Sequence, residues 1–99
     1  METIPYDKRS GKLWFNGDIV DWLDAKIHVL NHGLHYASCV FEGERVYDGE
    51  IFKLEDHTER LFYSAKRMGI KIPYSQKKLM MLVKILLIFK KFRMVMLDL

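Results

Sequence analysis

The sequence has little cysteine and no long apolar stretch, and each shortage narrows the class of protein. Cys39 is the single cysteine among 99 residues, so no intramolecular disulfide forms and a reducing compartment is the simpler expectation. Residues Met1–Ser10 are polar and carry both charges, which predicts no cleaved secretion signal. The apolar run Leu79–Phe89 is interrupted by Lys84 and is shorter than the roughly 20 residues that span a bilayer. We therefore expect a cytoplasmic protein without a membrane partner.

A basic surface is also missing from most of the chain, although the sequence pI is about 9.0. Such a pI would suggest nucleic acid as a partner. Six Lys and Arg residues after Ser75 stand against one acid, a charge of +5, so residues 1–75 carry −2 of the total of +3. The basic character belongs to the C-terminal tail, and we expect no nucleic-acid partner. The composition, 49% hydrophobic and 29% charged, is that of one small globular domain.

Three histidines lie within eight residues, namely His28, His32 and His35. A structural zinc site needs about four ligands, commonly completed by cysteine or a carboxylate. In our interpretation no acid or cysteine completes such a set here, so the sequence predicts no metal site. We expect Cys39 to be a small buried residue.

Two turn-forming dipeptides, Asn16-Gly17 and Asp48-Gly49, each separate two segments with strand character. Both dipeptides tolerate positive φ at both positions, which the tight turn of a two-residue hairpin requires. The sequence therefore predicts two β-hairpins. The flanking segments are Lys12–Phe15 and Asp18–Val20 for the first, and Cys39–Tyr47 and Glu50–Leu54 for the second.

From Glu55 the apolar spacing changes to that of a helix, with one face formed by Leu61, Phe62, Ala65 and Met68. Gly69 is placed to end this helix, and Ser75 is placed to cap the start of another. Hairpins followed by helices predict an α+β domain, with helices on one face of a largely antiparallel sheet.

The segment Leu34–Arg45, preceded by Ile27–His32, resembles the small N-terminal domain of branched-chain aminotransferases. These are fold-type IV enzymes that use pyridoxal 5′-phosphate (PLP). Three further pieces fit that family in order and spacing, so that the resemblance covers roughly Leu13–Tyr74: Trp14–Gly17, His57–Leu61 and Ser64–Lys66. D-amino-acid aminotransferases and aminodeoxychorismate lyases are less similar around His35-Tyr36 and Phe41–Gly43.

The resemblance implies that Arg60 binds the phosphate of PLP. A planar guanidinium gives two parallel hydrogen bonds to phosphate oxygens, which fixes the orientation of the cofactor as well as its charge. From spacing alone, an exposed helix arginine with no ligand would be the preferred interpretation.

The resemblance also implies a substrate pocket formed by Tyr36, Phe41, Gly43 and Arg45. Aromatic walls reject charged side chains because their desolvation is not compensated, and the family's tyrosine reaches the site from a neighbouring subunit of a homo-oligomer. Core packing is the alternative for both aromatic residues. A strand bulge is the alternative for Gly43, and a paired surface arginine is the alternative for Arg45.

The activity that the resemblance implies is amino-group transfer between leucine, isoleucine or valine and 2-oxoglutarate, as in amino-acid biosynthesis. Transamination needs a Schiff-base lysine and an acid facing the pyridinium nitrogen, which the family carries in its large domain. None of the 11 lysines here stands in a matching context. We therefore predict a fragment that has no catalytic residue, binds PLP weakly and is inactive alone. The alternative is a non-catalytic interaction or dimerisation module.

The C-terminal tail, residues 76–99, differs in composition from residues 1–75. In a reading frame shifted by one base, Met94 and Val95 must give glycine, and the last codons permit Tyr-Val-Arg-Pro. The family has a Tyr-x-Arg-Pro element at about this distance. The residues Gln76-Lys77-Lys78 can be encoded by a run of adenines, where slippage is common. We therefore predict a domain of residues 1–75 followed by an out-of-frame tail.

Overall fold

Two hairpins, three α-helices and a further strand make up the part of the chain that the structure describes. The computed structural model describes residues 3–88 and the backbone of residues 92–95. Short 3₁₀ turns lie at Tyr6–Lys8 and Trp22–Asp24. The elements are β1 (Lys12–Phe15), β2 (Asp18–Asp21), α1 (His32–Tyr36), β3 (Val46–Tyr47), β4 (Glu50–Ile51), α2 (Leu54–Arg67), α3 (Gln76–Leu86) and β5 (Phe92–Val95).

The first hairpin forms as its turn residues predict. Asn16 has φ of 49° and Gly17 has φ of 101°, the positive values of a tight hairpin turn. Leu13 and Trp14 in β1 are only 6% and 3% exposed. Because neighbouring strand residues point to opposite faces, both faces of β1 are covered at this point. At the end of the hairpin away from the turn, an ion pair between Lys12 and Asp21 joins the two strands.

The sheet is mixed, with the strand order β2-β1-β5. The pair β1–β2 is antiparallel, whereas β5 runs parallel to β1, with Lys12 opposite Phe92 and Phe15 opposite Val95. The predicted α+β class and the first antiparallel hairpin are confirmed. The parallel strand was not predicted from the sequence, because its residues lie in the tail.

The second hairpin forms at Asp48-Gly49, but its strands are much shorter than predicted. Only Val46–Tyr47 and Glu50–Ile51 pair, and the hydrogen bond from Phe52 N–H to the Arg45 carbonyl adds one contact at 2.8 Å. The prediction of a strand over Cys39–Tyr47 is wrong for residues 39–45. The chain enters α2 directly after Lys53, so the returning strand is too short to pair with that segment.

Helix α2 buries Leu54, Thr58 and Ala65, which lie on one face at helical spacing. Its end is confirmed at Gly69, where φ is 74°. Gly69 N–H donates to the Lys66 carbonyl at 3.1 Å and Ile70 N–H donates to the Ala65 carbonyl at 2.8 Å. These two bonds form a Schellman motif, which satisfies the last carbonyl groups of the helix.

Helix α3 begins at the predicted cap, where Ser75 Oγ accepts from Lys78 N–H at 3.1 Å. Leu79 and Leu86, seven residues apart, are 3% and 1% exposed, and α3 packs against α2. Tyr74 meets the indole of Trp14 edge-on, with ring centroids 5.2 Å apart. Within residues 3–88 and 92–95, no helix has the length and apolar character needed to cross a membrane.

Candidate functional site

Arg60 lies on the surface of α2 and is held by Glu42, a residue of the irregular segment before β3. Arg60 Nε donates to Glu42 Oε2 and Arg60 Nη2 donates to Glu42 Oε1, each at 2.7 Å. Two parallel bonds between a guanidinium and a carboxylate are the strongest geometry available to such a pair. The segment over residues 39–45 is therefore attached to α2 through a charged contact.

His57 is the third member of this cluster. It lies three residues before Arg60, so that both side chains emerge on the same flank of α2. His57 Nδ1 is 2.5 Å from Glu42 Oε1 and 3.4 Å from Arg60 Nη2. Since a carboxylate only accepts hydrogen bonds, Nδ1 carries a hydrogen and donates to Glu42. The longer approach to Arg60 then joins two donors and is not a hydrogen bond.

The surroundings of Glu42 favour the ionised form of its carboxyl group. The hydrogen bonds from Arg60 are the largest influence on its pKa, partial burial acts against them, and the bond from His57 adds to them, lowering the pKa to about 2. The Glu42 side chain is 10% exposed, whereas that of Arg60 is 65% exposed. The pairing also raises the pKa of Arg60.

Glu44, two residues further along, is affected in the opposite direction. Desolvation raises the pKa of its carboxyl, and the negative charge of Glu42 adds to that increase, while His57 opposes it. The site therefore places one strongly ionised carboxylate against the arginine and a second, less acidic one beside it.

A shallow cavity of about 290 Å³ lies beside the arginine, lined by Lys53, Asp56, His57 and Arg60. Lys53 Nζ is 3.7 Å from Asp56 Oδ2, so both cations in the wall are partly compensated, Lys53 by Asp56 and Arg60 by Glu42. The cavity is large enough for an anion such as phosphate, and Arg60 is one of its four lining residues.

The predicted pocket residues are exposed. Phe41 is 86% exposed and Tyr36 is 73% exposed, which excludes core packing as the explanation of either within the described chain. Phe41 and Gly43 flank Glu42 in sequence, so both lie one residue from the contact with Arg60. Gly43 is not part of a strand, and a Cβ added there would meet no atom within 4 Å. Neither observation supports the bulge alternative.

Tyr36 and Arg45 lie on other elements. Tyr36 ends α1, where Ala37 follows with φ of 54°, and its ring lies 4.7 Å from that of His32. Arg45 is exposed just before β3, and the structure gives its side chain no ion pair within residues 3–88. Phe41 and Gly43 are thus the sequence neighbours of Glu42, the partner of Arg60, while no hydrogen bond or ion pair within residues 3–88 joins the side chains of Tyr36 or Arg45 to this cluster.

The histidine-rich segment makes local hydrogen bonds. His28 Nδ1 accepts from Leu30 N–H at 3.0 Å, and His32 Nδ1 is hydrogen-bonded to Ser38 Oγ. No group of three potential metal ligands occurs in the described parts of the chain. The expectation that Cys39 is buried is wrong: it is exposed, because it lies in the irregular segment after α1 and not on a packed strand.

Sequence reasoning assigned no role to Glu42 or His57, although both lie in the quoted motifs. For His57 a signal was present, since a histidine three residues before an arginine shares a flank of a helix with it. For Glu42 no comparable signal is present, because it lies 18 residues before Arg60 and the alternating pattern predicts a strand there.

Comparison with known proteins decides the family. The sequence profile of "Amino-transferase class IV" matches residues 39–94, more than half of the chain, and the matched range includes Glu42, His57 and Arg60. The chain belongs to the class IV aminotransferase family. The match runs past residue 75, the boundary predicted from composition.

Several bacterial relatives carry the branched-chain name, which confirms the resemblance predicted from the motifs. A "Probable branched-chain-amino-acid aminotransferase" of Rickettsia felis is 52% identical over 75 residues, 76% of this chain and 26% of that protein. The "Branched-chain-amino-acid aminotransferase" of Pseudomonas aeruginosa is 49% identical over 75 residues, 72% of this chain and 24% of that protein. The corresponding protein of Escherichia coli (strain K12) is 43% identical over 77 residues, 74% and 25% of the two chains. The chain spans about a quarter of the length of these relatives.

Proposed function

We propose that residues 1–75 form the small domain of a PLP-dependent branched-chain aminotransferase, with Arg60 as a ligand of the cofactor phosphate. The observation that carries the proposal is the exposed side chain of Arg60, which lines a cavity together with Lys53, Asp56 and His57. The names of the relatives support amino-group transfer from branched-chain amino acids, and the proposed reaction runs between leucine, isoleucine or valine and 2-oxoglutarate. A cytoplasmic location, predicted from the sequence, is part of the proposal.

The residues of this chain fit one part of the cofactor. Arg60 and Lys53 suit a phosphate group, because an arginine offers paired donors and a lysine offers a compact charge. When bound, PLP supplies the electron sink for transamination. In this proposal the Schiff-base lysine belongs to the family's large domain, so residues 1–75 contribute a phosphate contact and not the bond to the ring.

The substrate side of the proposal rests on Phe41 and Gly43, which lie next to Glu42. An exposed phenylalanine beside a glycine offers an apolar wall with free space for an aliphatic side chain. Arg45, close by in sequence, is the candidate for contact near the substrate. Tyr36, on an exposed end of α1, is the candidate to complete the pocket of a neighbouring subunit in a homo-oligomer.

We further propose that the 99-residue chain does not turn over by itself. None of its lysines has sequence neighbours that resemble those of the family's Schiff-base lysine. Its proposed phosphate contact depends mainly on one exposed arginine. Titration of the chain with PLP is expected to give no protein-bound aldimine absorbance. A stable aldimine band that disappears on borohydride reduction, with the label found on one lysine, would contradict this proposal.

The phosphate assignment is tested on the whole chain by titration with inorganic phosphate, followed by NMR of the arginine side chains. Phosphate is expected to shift the Arg60 signals progressively, and Arg60→Ala is expected to abolish saturable binding because the paired donors are removed. Arg60→Lys should bind several-fold more weakly, since lysine cannot form the paired bonds. Arg67→Ala removes an exposed arginine of the same helix and is the matched control.

Equal phosphate binding by the wild-type chain and by Arg60→Ala would show that the assignment is wrong. A loss of binding in Arg67→Ala as large as that in Arg60→Ala would show that only the general positive charge of α2 matters.

A further inference from the structure

The two bonds between Arg60 and Glu42 use one particular edge of the guanidinium. A guanidinium has five N–H groups and presents two edges with parallel donors. One edge consists of Nε and Nη2, and the other consists of Nη1 and Nη2. Glu42 occupies the edge with Nε and Nη2, at 2.7 Å on both bonds. The end of the group, with both hydrogens of Nη1 and the second hydrogen of Nη2, stays available.

We propose that Glu42 is a positioning residue that holds the Nε–Nη2 edge of Arg60 and directs the adjacent Nη1–Nη2 edge toward a phosphate group. This inference rests on the proposed function, in which Arg60 binds the phosphate of the cofactor. Glu42 and phosphate then bind the same guanidinium at the same time and do not compete for it. A lysine lacks this arrangement, because its ammonium is a single point charge without two separate edges of paired, parallel donors.

The surroundings of Glu42 fix the carboxylate before any ligand arrives. His57 Nδ1–H donates to Oε1, the oxygen that also accepts from Arg60 Nη2. Both carboxylate oxygens therefore have partners, and the side chain is only 10% exposed. A long arginine side chain loses rotamer entropy when it is ordered. Since Glu42 orders Arg60 in the free protein, less of that cost falls on phosphate binding.

The position of the cavity agrees with this division of the guanidinium. Arg60 lines it together with Lys53, Asp56 and His57, whereas Glu42 is not one of the lining residues. The carboxylate is nearly covered and takes no part in the cavity wall, to which the arginine contributes. Glu42 also neutralises part of the charge of Arg60, so its removal has two opposed effects on the binding of an anion. The local positive field becomes stronger, which favours binding, and the arginine becomes less ordered, which weakens binding. We expect the loss of order in Arg60 to be the larger of the two effects.

The test compares Glu42→Gln with the wild-type chain, using Glu59→Gln as the matched control. Glutamine keeps the shape of Glu42 but turns one acceptor oxygen into a donor, so one of the two bonds to Arg60 is lost. Glu59 is exposed and is the immediate neighbour of Arg60, and its replacement changes the net charge equally. Circular dichroism and thermal melts establish that all three proteins are folded.

Two measurements are made on each protein. The first is the exchange rate of the Arg60 Nε–H proton with water by nitrogen-15 NMR, which reports the pairing directly. The second is the dissociation constant for inorganic phosphate. We expect slow exchange in the wild type and in Glu59→Gln, and exchange at least severalfold faster in Glu42→Gln. We expect Glu42→Gln to bind phosphate several-fold more weakly, and Glu42→Asp to recover part of the slow exchange and of the affinity.

Equal or tighter phosphate binding by Glu42→Gln would overturn the inference, because Glu42 would then be a competitor of the ligand. The same conclusion follows if phosphate releases the Nε–H proton of the wild type into fast exchange. Fast exchange in the free wild type would also overturn it. If the wild type shows slow exchange that depends on Glu42 but binds no phosphate, the proposed function fails while the positioning of Arg60 by Glu42 stands.

Discussion

At the scale of single residues, the cluster of Glu42, His57 and Arg60 shows how a charge is kept in place at the surface. The exposed arginine is ordered by a carboxylate that is itself nearly covered. An exposed ion pair contributes little to stability because water screens it. The Arg60–Glu42 pair matters for orientation instead, because it determines which N–H groups of Arg60 remain free for a ligand.

This pairing predicts a specific dependence of stability on pH. The folded state lowers the pKa of Glu42 from its ordinary 4.5 to about 2. The folded protein therefore gains stability from Glu42 above pH 4.5, and that gain is lost as the pH falls toward 2. Because Arg60 is exposed and water screens its charge, the gain in unfolding free energy is smaller than the full pKa difference between the folded and unfolded states would give. Urea unfolding of the wild type and of Glu42→Gln from pH 7 to pH 2 measures it.

We expect the wild type to lose its advantage over Glu42→Gln as the pH falls from 4.5 toward 2. Glu59→Gln, which removes an exposed carboxylate of the same helix, should follow the wild type closely. A constant difference between the wild type and Glu42→Gln over that pH range would contradict the assigned ionisation.

The sequence predicted part of this site. The family motif identified Arg60, and the helical spacing placed it on α2, where the structure has it. The partner of Arg60 was beyond reach, because alternation of apolar and polar residues assigned Glu42 to a strand. A strand assignment fixes which face a side chain lies on, but a partner 18 residues away depends on how the chain turns between them. That turn is set at Lys53, whose φ of 58° starts α2 immediately after the second hairpin.

At the scale of elements, the sequence predicted the points where the chain turns better than the lengths of what lies between. Asn16-Gly17, Asp48-Gly49, Gly69 and Ser75 act within a few residues, so their effects are local and visible in sequence. The lengths of β3 and β4 are set by where α2 begins. The parallel pairing of β5 with β1 joins residues about eighty positions apart, and no local pattern encodes that.

The end of α2 gives a prediction at this scale. Gly69→Ala places a Cβ on a residue with φ of 74°, and we expect a loss of about 1 kcal/mol of unfolding free energy. Gly43→Ala is the matched control, because its backbone lies outside the positive-φ region and its added Cβ would meet no atom within 4 Å. Chemical denaturation compares the two. Equal losses for both variants would show that the left-handed conformation at Gly69 is not what ends the helix.

At the scale of the whole molecule, the core is small for the number of apolar residues. Within residues 3–88 the buried apolar side chains are Leu13, Trp14, Leu54, Ala65, Leu79 and Leu86. Large hydrophobic residues such as Phe41 and Leu30 are 86% and 70% exposed. An exposed apolar surface of this kind is usual where another domain or subunit binds, which agrees with the proposal of a small domain within a larger homo-oligomeric enzyme.

The origin of the tail is tested at the same scale. Two of the six buried apolar residues, Leu79 and Leu86, belong to residues 76–99, and the family profile also extends to residue 94. If the tail packs as the structure shows, Leu79→Ala costs about 2–5 kcal/mol of unfolding free energy, a large part of the stability of a small domain. Met81→Ala, at a position that is 51% exposed on the same helix, should cost far less.

Equal and small effects of Leu79→Ala and Met81→Ala would instead support the prediction of an out-of-frame tail that does not join the core. Sequencing the DNA beyond the codon of Leu99 addresses the same prediction independently. A shifted frame that continues into a large domain would support it, and the absence of such a continuation would contradict it.

The edge-on contact between Trp14 and Tyr74 has a practical consequence. Trp14 is 3% exposed, and its neighbour Tyr74 immediately precedes the cap of α3. If α3 detached, the Trp14 indole would therefore become exposed to solvent before the hairpin itself unfolds. The fluorescence emission of Trp14 would then move to longer wavelength. Replacing Trp22 by phenylalanine would leave Trp14 as the single tryptophan of the chain. Its emission wavelength would then report whether α3 is packed against the rest of the protein.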